Sequence, residues 1–304
     1  MRRLGDVAGE AAPGAFRWLH FNEADRGALR WVQTAQLPPA IADVLLSQDR
    51  HQRAVVEGAY VACVLHDFER EFEDCETRGI GALRFVIGPH CIASFRRHPL
   101  RCADIVRRRL MGGARIGDAA GAFSLLAGAL TEVVAAQLHE LDAAAEQAED
   151  ALLADEHEPD TRQLALMRRR AVQLHRLLSG LRSLCARLEA DDALPPALLP
   201  PVETFAQRIA ALDQGVIALQ SQLRLLRDEL ELQTSQRTNR SLYILSIVSA
   251  LMLPATFVTG LFGMNTGGLP WAEAPHGTLV ATLLALGSAG AVYLVLRLLG
   301  FIRL

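Results

Sequence analysis

Two stretches near the C-terminal end of the chain differ from everything before them. Ser241 to Phe262 runs for 22 residues without a charge, and Gly277 to Leu296 for 20. At 1.5 Å rise per residue each is long enough to cross a hydrocarbon core of about 30 Å, so two membrane-spanning helices are predicted. Upstream, Leu212, Val216, Leu219, Leu223, Leu226 and Leu230 recur at alternating spacings of four and three. That heptad stripe suits knobs-into-holes packing with neighbouring helices. No Pro or Gly interrupts the chain between Val216 and Leu253. Stripe and first span therefore read as one helix from Val202 to Phe262, roughly 90 Å long.

The N-terminal part has a different rhythm. Phe16 to Phe21, Ala54 to His66 and Leu83 to Arg96 carry β-like apolar runs, and Gly88-Pro89-His90 divides the last into a hairpin. Ala28 to Leu46 has helical spacing broken by Pro38-Pro39. From Pro99 the pattern turns helical, in segments near 99–111, 119–155 and 161–190 before the long helix. The predicted class is α+β. An α/β domain occupies 1–115, a helical stalk region 116–240, the first span 241–262, a loop 263–276 and the second span 277–299.

Charge orients this scheme. Arg237 and Arg240 precede the first span, Arg297 and Arg303 close the second, and the loop from Gly263 to His276 has no Arg and one acid, Glu273. The positive-inside rule places both termini in the cytoplasm and the loop outside, in a multi-pass protein of the inner membrane. Nothing after Met1-Arg2-Arg3 reads as a signal peptide. A net charge of -3 gives no basic face for nucleic acid, and 51% hydrophobic residues with only 6% aromatics favour long helices. Five cysteines without a CxxC pair argue against a disulfide framework. All 31 basic residues are Arg, a coding bias without functional weight.

The chemistry concentrates where the first span meets the loop, at Gly260-Leu261-Phe262-Gly263-Met264-Asn265-Thr266-Gly267-Gly268. A divalent ion holds its water shell too strongly to be stripped cheaply, and neutral oxygens can grip that shell. Asn265 offers one such oxygen, and a ring of copies would form a neutral filter. Asn265 also suits a plain helix C-cap, a role compatible with filtering. Asn239, Ser246, Ser249, Thr256 and Gly260 fall near one helical face, with Leu242 and Leu253 interleaved. Each hydroxyl alone also suits a bond to its own backbone. The acidic run Asp155 to Asp160 has metal-ligand residue types but sits where such loops are routine. No HExxH, Walker, GxGxxG or GxSxG motif occurs, so neither an ATP site nor an enzyme constellation is expected.

Gly263-Met264-Asn265 at the end of the penultimate span, with Pro254-Ala255-Thr256-Phe257 upstream, resembles the CorA superfamily of divalent cation transporters. The resemblance implies a selectivity filter at Gly263, Met264 and Asn265, and a homo-oligomer, pentameric in that family, with the first spans around a central pore. It makes Asn239 a pore-lining residue near the cytoplasmic entrance and Asp228 a funnel acid, so Asn265 and Asp228 would meet the metal. Asp228 otherwise reads as part of a solvated helix face with Glu229 and Glu231. Gly267-Gly268-Leu269-Pro270 and Trp18-Leu19-His20 resemble the ZntB branch, associated with zinc, whereas Asn239 and Met264 resemble the magnesium branch. Zinc is the expected cargo, a CorA-type magnesium or cobalt channel the alternative, and no resident cofactor is expected. A membrane-anchored coiled-coil scaffold or receptor would explain heptads and spans but not Gly263-Met264-Asn265.

Overall fold

The computed structural model describes residues 16–69, 79–154, 161–264 and 276–301. They fall into two compact units, Met1–Arg227 and Asp228–Leu304.

The first unit begins with β1 (Arg17–Asn22), α1 (Arg26–Thr34) and α2 (Pro39–Leu46). The strands β2 (Arg53–Glu57), β3 (Tyr60–Phe68), β4 (Ile80–Ile87) and β5 (Cys91–Arg96) follow, then α3 (Arg101–Met111), α4 (Ala119–Leu153) and α5 (Thr161–Glu189). The strands form one sheet in the order β1-β5-β4-β3-β2, with β1 parallel to β5 and the other pairs antiparallel. The apolar run from Ala54 is not one strand. It turns at Gly58, whose φ of +62° is open to glycine at no steric cost, and Glu57 then pairs with Tyr60. Pro39 opens α2 at the position where a missing N–H does no harm, so the diproline separates two helices as expected.

Strand alternation gives the sheet two covered faces. Ala62, Val64, Val86, Ala93 and Phe95 pack against Ala28 and Val32 of α1 and Ile41, Val44 and Leu45 of α2. Residues one step out of phase point the other way: Phe85 lies 6.5 Å from Phe123 of α4, itself 5.9 Å from Phe205.

Helix α6 (Leu199–Gly263) is one helix of 65 residues and carries Pro254 in its interior. Proline there forfeits one backbone hydrogen bond, which membrane helices tolerate. Helix α7 (Gly277–Leu298) follows. The heptad stripe finds the neighbouring helices it calls for inside the chain itself. Val216, Leu219, Leu223 and Leu226 are buried inside this one chain, with Leu212 and Leu230 half-buried. Any assembly face on α6 must lie elsewhere.

Among the described residues, three helices are long and apolar enough to cross a membrane: α4, α6 and α7. Half of the apolar window of α4 is buried in the first unit, through Phe123, Leu126, Leu130, Val134 and Leu141, so α4 is a core helix. The apolar stretches of α6 and α7 are left almost wholly out of any core, which is how a helix made for lipid or a second copy looks in one chain.

Candidate functional site

On α6, Asn239, Leu242, Ser246, Ser249, Leu253, Thr256, Gly260 and Gly263 follow one another at spacings of three and four. All eight are exposed. The half-buried positions in the same stretch, Ile247, Ala250, Leu251, Pro254, Ala255, Val258, Leu261 and Phe262, centre on the other side of the helix. A matching stripe of mostly small residues on α7 is buried or half-buried: Gly277, Ala281, Ala285, Ser288, Ala289 and Val292. Small residues let two membrane helices approach closely. Within the second unit, the less exposed side of α6 thus lies away from the candidate pore residues, which are open.

The open face has a defined chemistry. The hydroxyl of Ser246 donates to Leu242 O at 2.8 Å and that of Thr256 to Met252 O at 2.9 Å. Each proton is thus spent on the helix's own carbonyl, and the lone pairs point outward as acceptors, suited to the O–H groups of water around a cation. Leu253 is 70% exposed and Leu242 55%, so bulky apolar side chains alternate with these oxygens. A side chain at Gly260 or Gly263 would meet nothing within 4 Å. Packing inside the chain does not demand glycine there.

Asp228 is exposed and stands in the same three-four register, eleven residues before Asn239. Met264 is half exposed. Asn265 lies outside the described residues, as do the run Asp155 to Asp160 and Arg303. Among the described residues no group of three His, Cys, Asp or Glu could hold a metal. The register also extends through residues the sequence reading passed over: Leu225 and Leu232, exposed at 69% and 63%, precede Asn239 at steps of seven. That step of seven is readable in the sequence itself, beside the buried stripe.

The first unit buries several polar groups. Asp213 is 1% exposed, among the apolar core positions of α6, and accepts from His175 Nδ1 at 2.7 Å and Arg182 Nη1 at 3.0 Å, both from α5. Asp67 of β3 accepts from the backbone N–H of Phe68 and of Cys102, where Leu100 cannot cap α3 with its side chain. Burial pushes the Asp67 carboxyl up to about 6 against the pull of those hydrogen bonds. His20 sits in a network with a single consistent proton arrangement. Arg96 donates to Nε2 at 2.8 Å, so Nδ1 carries the proton and donates to Ser94 Oγ, which also accepts from Trp18 and donates to Leu19 O. Burial, and then the Arg96 charge, pushes His20 down to about 4, so the ring stays neutral.

The family model described as CorA-like Mg2+ transporter protein matches residues 13–298. The divalent cation transporter CmaX of Pseudomonas aeruginosa is 29% identical over 289 residues, covering 92% of this chain and 86% of CmaX. The zinc transport protein ZntB of Pectobacterium atrosepticum is 26% identical over 280 residues, covering 90% and 84%. The solved structure of the CorA magnesium transporter from Methanocaldococcus jannaschii superimposes with a TM-score of 0.76 over 94% of this chain and 91% of that one. At 15% identity that likeness concerns the fold alone. A match over nearly the whole chain, joined to two apolar C-terminal helices, identifies a membrane transporter of divalent cations, not an enzyme: this chain belongs to the CorA family.

Proposed function

We propose that the chain carries zinc across the inner membrane, with both termini in the cytoplasm, through a closed homo-oligomer, a pentamer by resemblance. Its pore is lined by the open face of α6. The observation that carries this reading is the exposed register from Asn239 to Gly263 on α6, with outward acceptors at Ser246 and Thr256. Two helices cannot enclose a path, but a ring of copies that turn this face inward can. Asp228 stands at the cytoplasmic approach, Asn239 and Leu242 at the entrance, and Ser249, Leu253 and Gly260 along the wall. Gly263, Met264 and Asn265 form the filter, where one neutral amide oxygen per copy touches the ion's water shell.

Zinc is favoured by the ZntB relative and by Gly267-Gly268-Leu269-Pro270. Magnesium is favoured by the description of the family model and by Asn239 and Met264. Uptake of each metal into vesicles containing the purified protein separates the two.

The assignment of Asn265 rests on one substitution. Glycine preserves a helix C-cap but removes the amide oxygen. Asn265→Gly should therefore assemble with the mass of the unmodified oligomer, while divalent flux falls at least tenfold. Unchanged flux from a normally assembled variant would reduce Asn265 to a cap.

A further inference from the structure

From Arg227 to Ser241, just before the first apolar span, α6 is polar except at two leucines. Leu230 is half-buried, whereas Leu232 is 63% exposed. A single exposed leucine is ordinary on a helix surface. Its phase here is not. Asp228, Leu232, Ser235 and Asn239 follow one another at steps of four, three and four, and all four are exposed. At 3.6 residues per turn they lie within about 60° of one another around the helix. Leu225, one step of seven earlier on the same helix, is exposed as well.

Charge marks the same face. Arg227, Arg237 and Arg240 of this segment each lie more than about 100° away from it around the helix. A face that keeps a carboxylate and an amide and turns its arginines elsewhere is electrostatically open to cations. Turned to the axis of a ring, this face meets only copies of itself, and like carboxylates stay charged together only in water. The space in front of Asp228 is therefore wet. Leu232 projects into it as an apolar side chain, about 6 Å along the helix from Asp228 and about 10 Å before Asn239.

We infer that the Leu232 side chains of the assembled copies form an apolar collar across the cytoplasmic approach to the pore, between the Asp228 and Asn239 rings, and that this collar limits the rate of cation flow. The inference rests on the inward-facing α6 proposed above. An apolar constriction resists passage by shedding the water that a hydrated ion needs around it. The carboxylates before the collar raise the local cation concentration, and the amides beyond it take up the ion's water shell again. The collar offers no ligand to any metal, so it sets the rate and leaves the choice of ion to the filter.

The test is initial flux of zinc and of magnesium into vesicles containing the purified full chain. Leu232→Asn makes the collar polar at similar size. Flux of both metals should rise at least threefold, with their ratio within twofold of the unmodified protein's and the oligomer mass unchanged. Leu232→Phe should lower both at least threefold. Leu232→Cys, treated from the cytoplasmic side with a cationic methanethiosulfonate, should lose at least half of its magnesium flux. Thr234→Cys, exposed about 160° away around the helix, should not respond, nor should the unmodified chain with its own cysteines. Loss of oligomer mass in Leu232→Asn would make Leu232 a packing residue, and unchanged flux at unchanged mass would place it on a solvated surface. Either result overturns the collar while the ring stands. An unmodified chain that moves neither metal would overturn the pore reading and the collar with it.

Discussion

Removing the partners of Asp213 should harm the protein more than removing Asp213 itself. Its carboxylate is 1% exposed on α6 between the core positions Ile209 and Val216, and its charge is met by His175 and Arg182 of α5. Those partners are 40% and 56% exposed, so water can take them back if the acid is lost. The carboxylate has no such recourse. Truncating both partners, His175→Ala with Arg182→Ala, strands a buried charge at a cost of about 3–5 kcal/mol. For a unit of this size each kcal/mol moves the melting temperature by about 2–4 °C, so a loss of roughly 6–20 °C is expected. Asp213→Leu frees the partners to solvent and buries an apolar side chain, worth about 1.5–3 kcal/mol against an overpacking penalty of about 1–3 kcal/mol. Its net effect should stay within about 2 kcal/mol. The assay is thermal unfolding of the full chain in detergent at one fixed scan rate, since unfolding of such proteins is commonly irreversible. The triple variant should recover most of what the double one loses. If Asp213→Leu melts as low as the double truncation, the stranded-charge argument is wrong and the network is a net source of stability.

Two further outcomes follow from the geometry. Gly260→Leu adds a side chain where the chain offers open space, so each subunit should fold with helix stability unchanged or up to about 1 kcal/mol better. Zinc and magnesium flux should nonetheless fall at least tenfold, and unchanged flux would remove Gly260 from the pore. His20 is held near 4 instead of about 6.5, so its contribution of about 3 kcal/mol is complete above pH 6.5 and is lost as pH falls toward 4. Asp67, held near 6, acts in the opposite sense: its contribution is complete below pH 4 and is lost as pH rises through 6. His20→Gln should therefore gain stability relative to the unmodified chain on acidification from pH 7 to 5. Parallel melting curves for the two proteins across that range would refute the assignment.

The sequence alone determined whatever depends on local pattern. Twenty or more uncharged residues in a row can be stable only in lipid or a core, and their position fixed the two apolar helices. Uninterrupted helical spacing from Val216 to Leu253 fixed α6 as a single element, and Pro38-Pro39 separated α1 from α2. The face from Asn239 to Gly260 was legible because helical periodicity assigns faces without tertiary information. What the helix packs against is a different matter. Two heptad registers run along α6, one through Val216, Leu219, Leu223 and Leu226 and one through Leu225, Leu232 and Asn239, and both carry leucine. Only the folded chain shows that the first is consumed inside the subunit and the second left open, because burial depends on which distant helices arrive at each face. The same holds for Asp213, unremarkable in sequence until α5 brings His175 and Arg182 to it, and for the strand from Ala54, which only its pairing at Glu57 and Tyr60 divides in two.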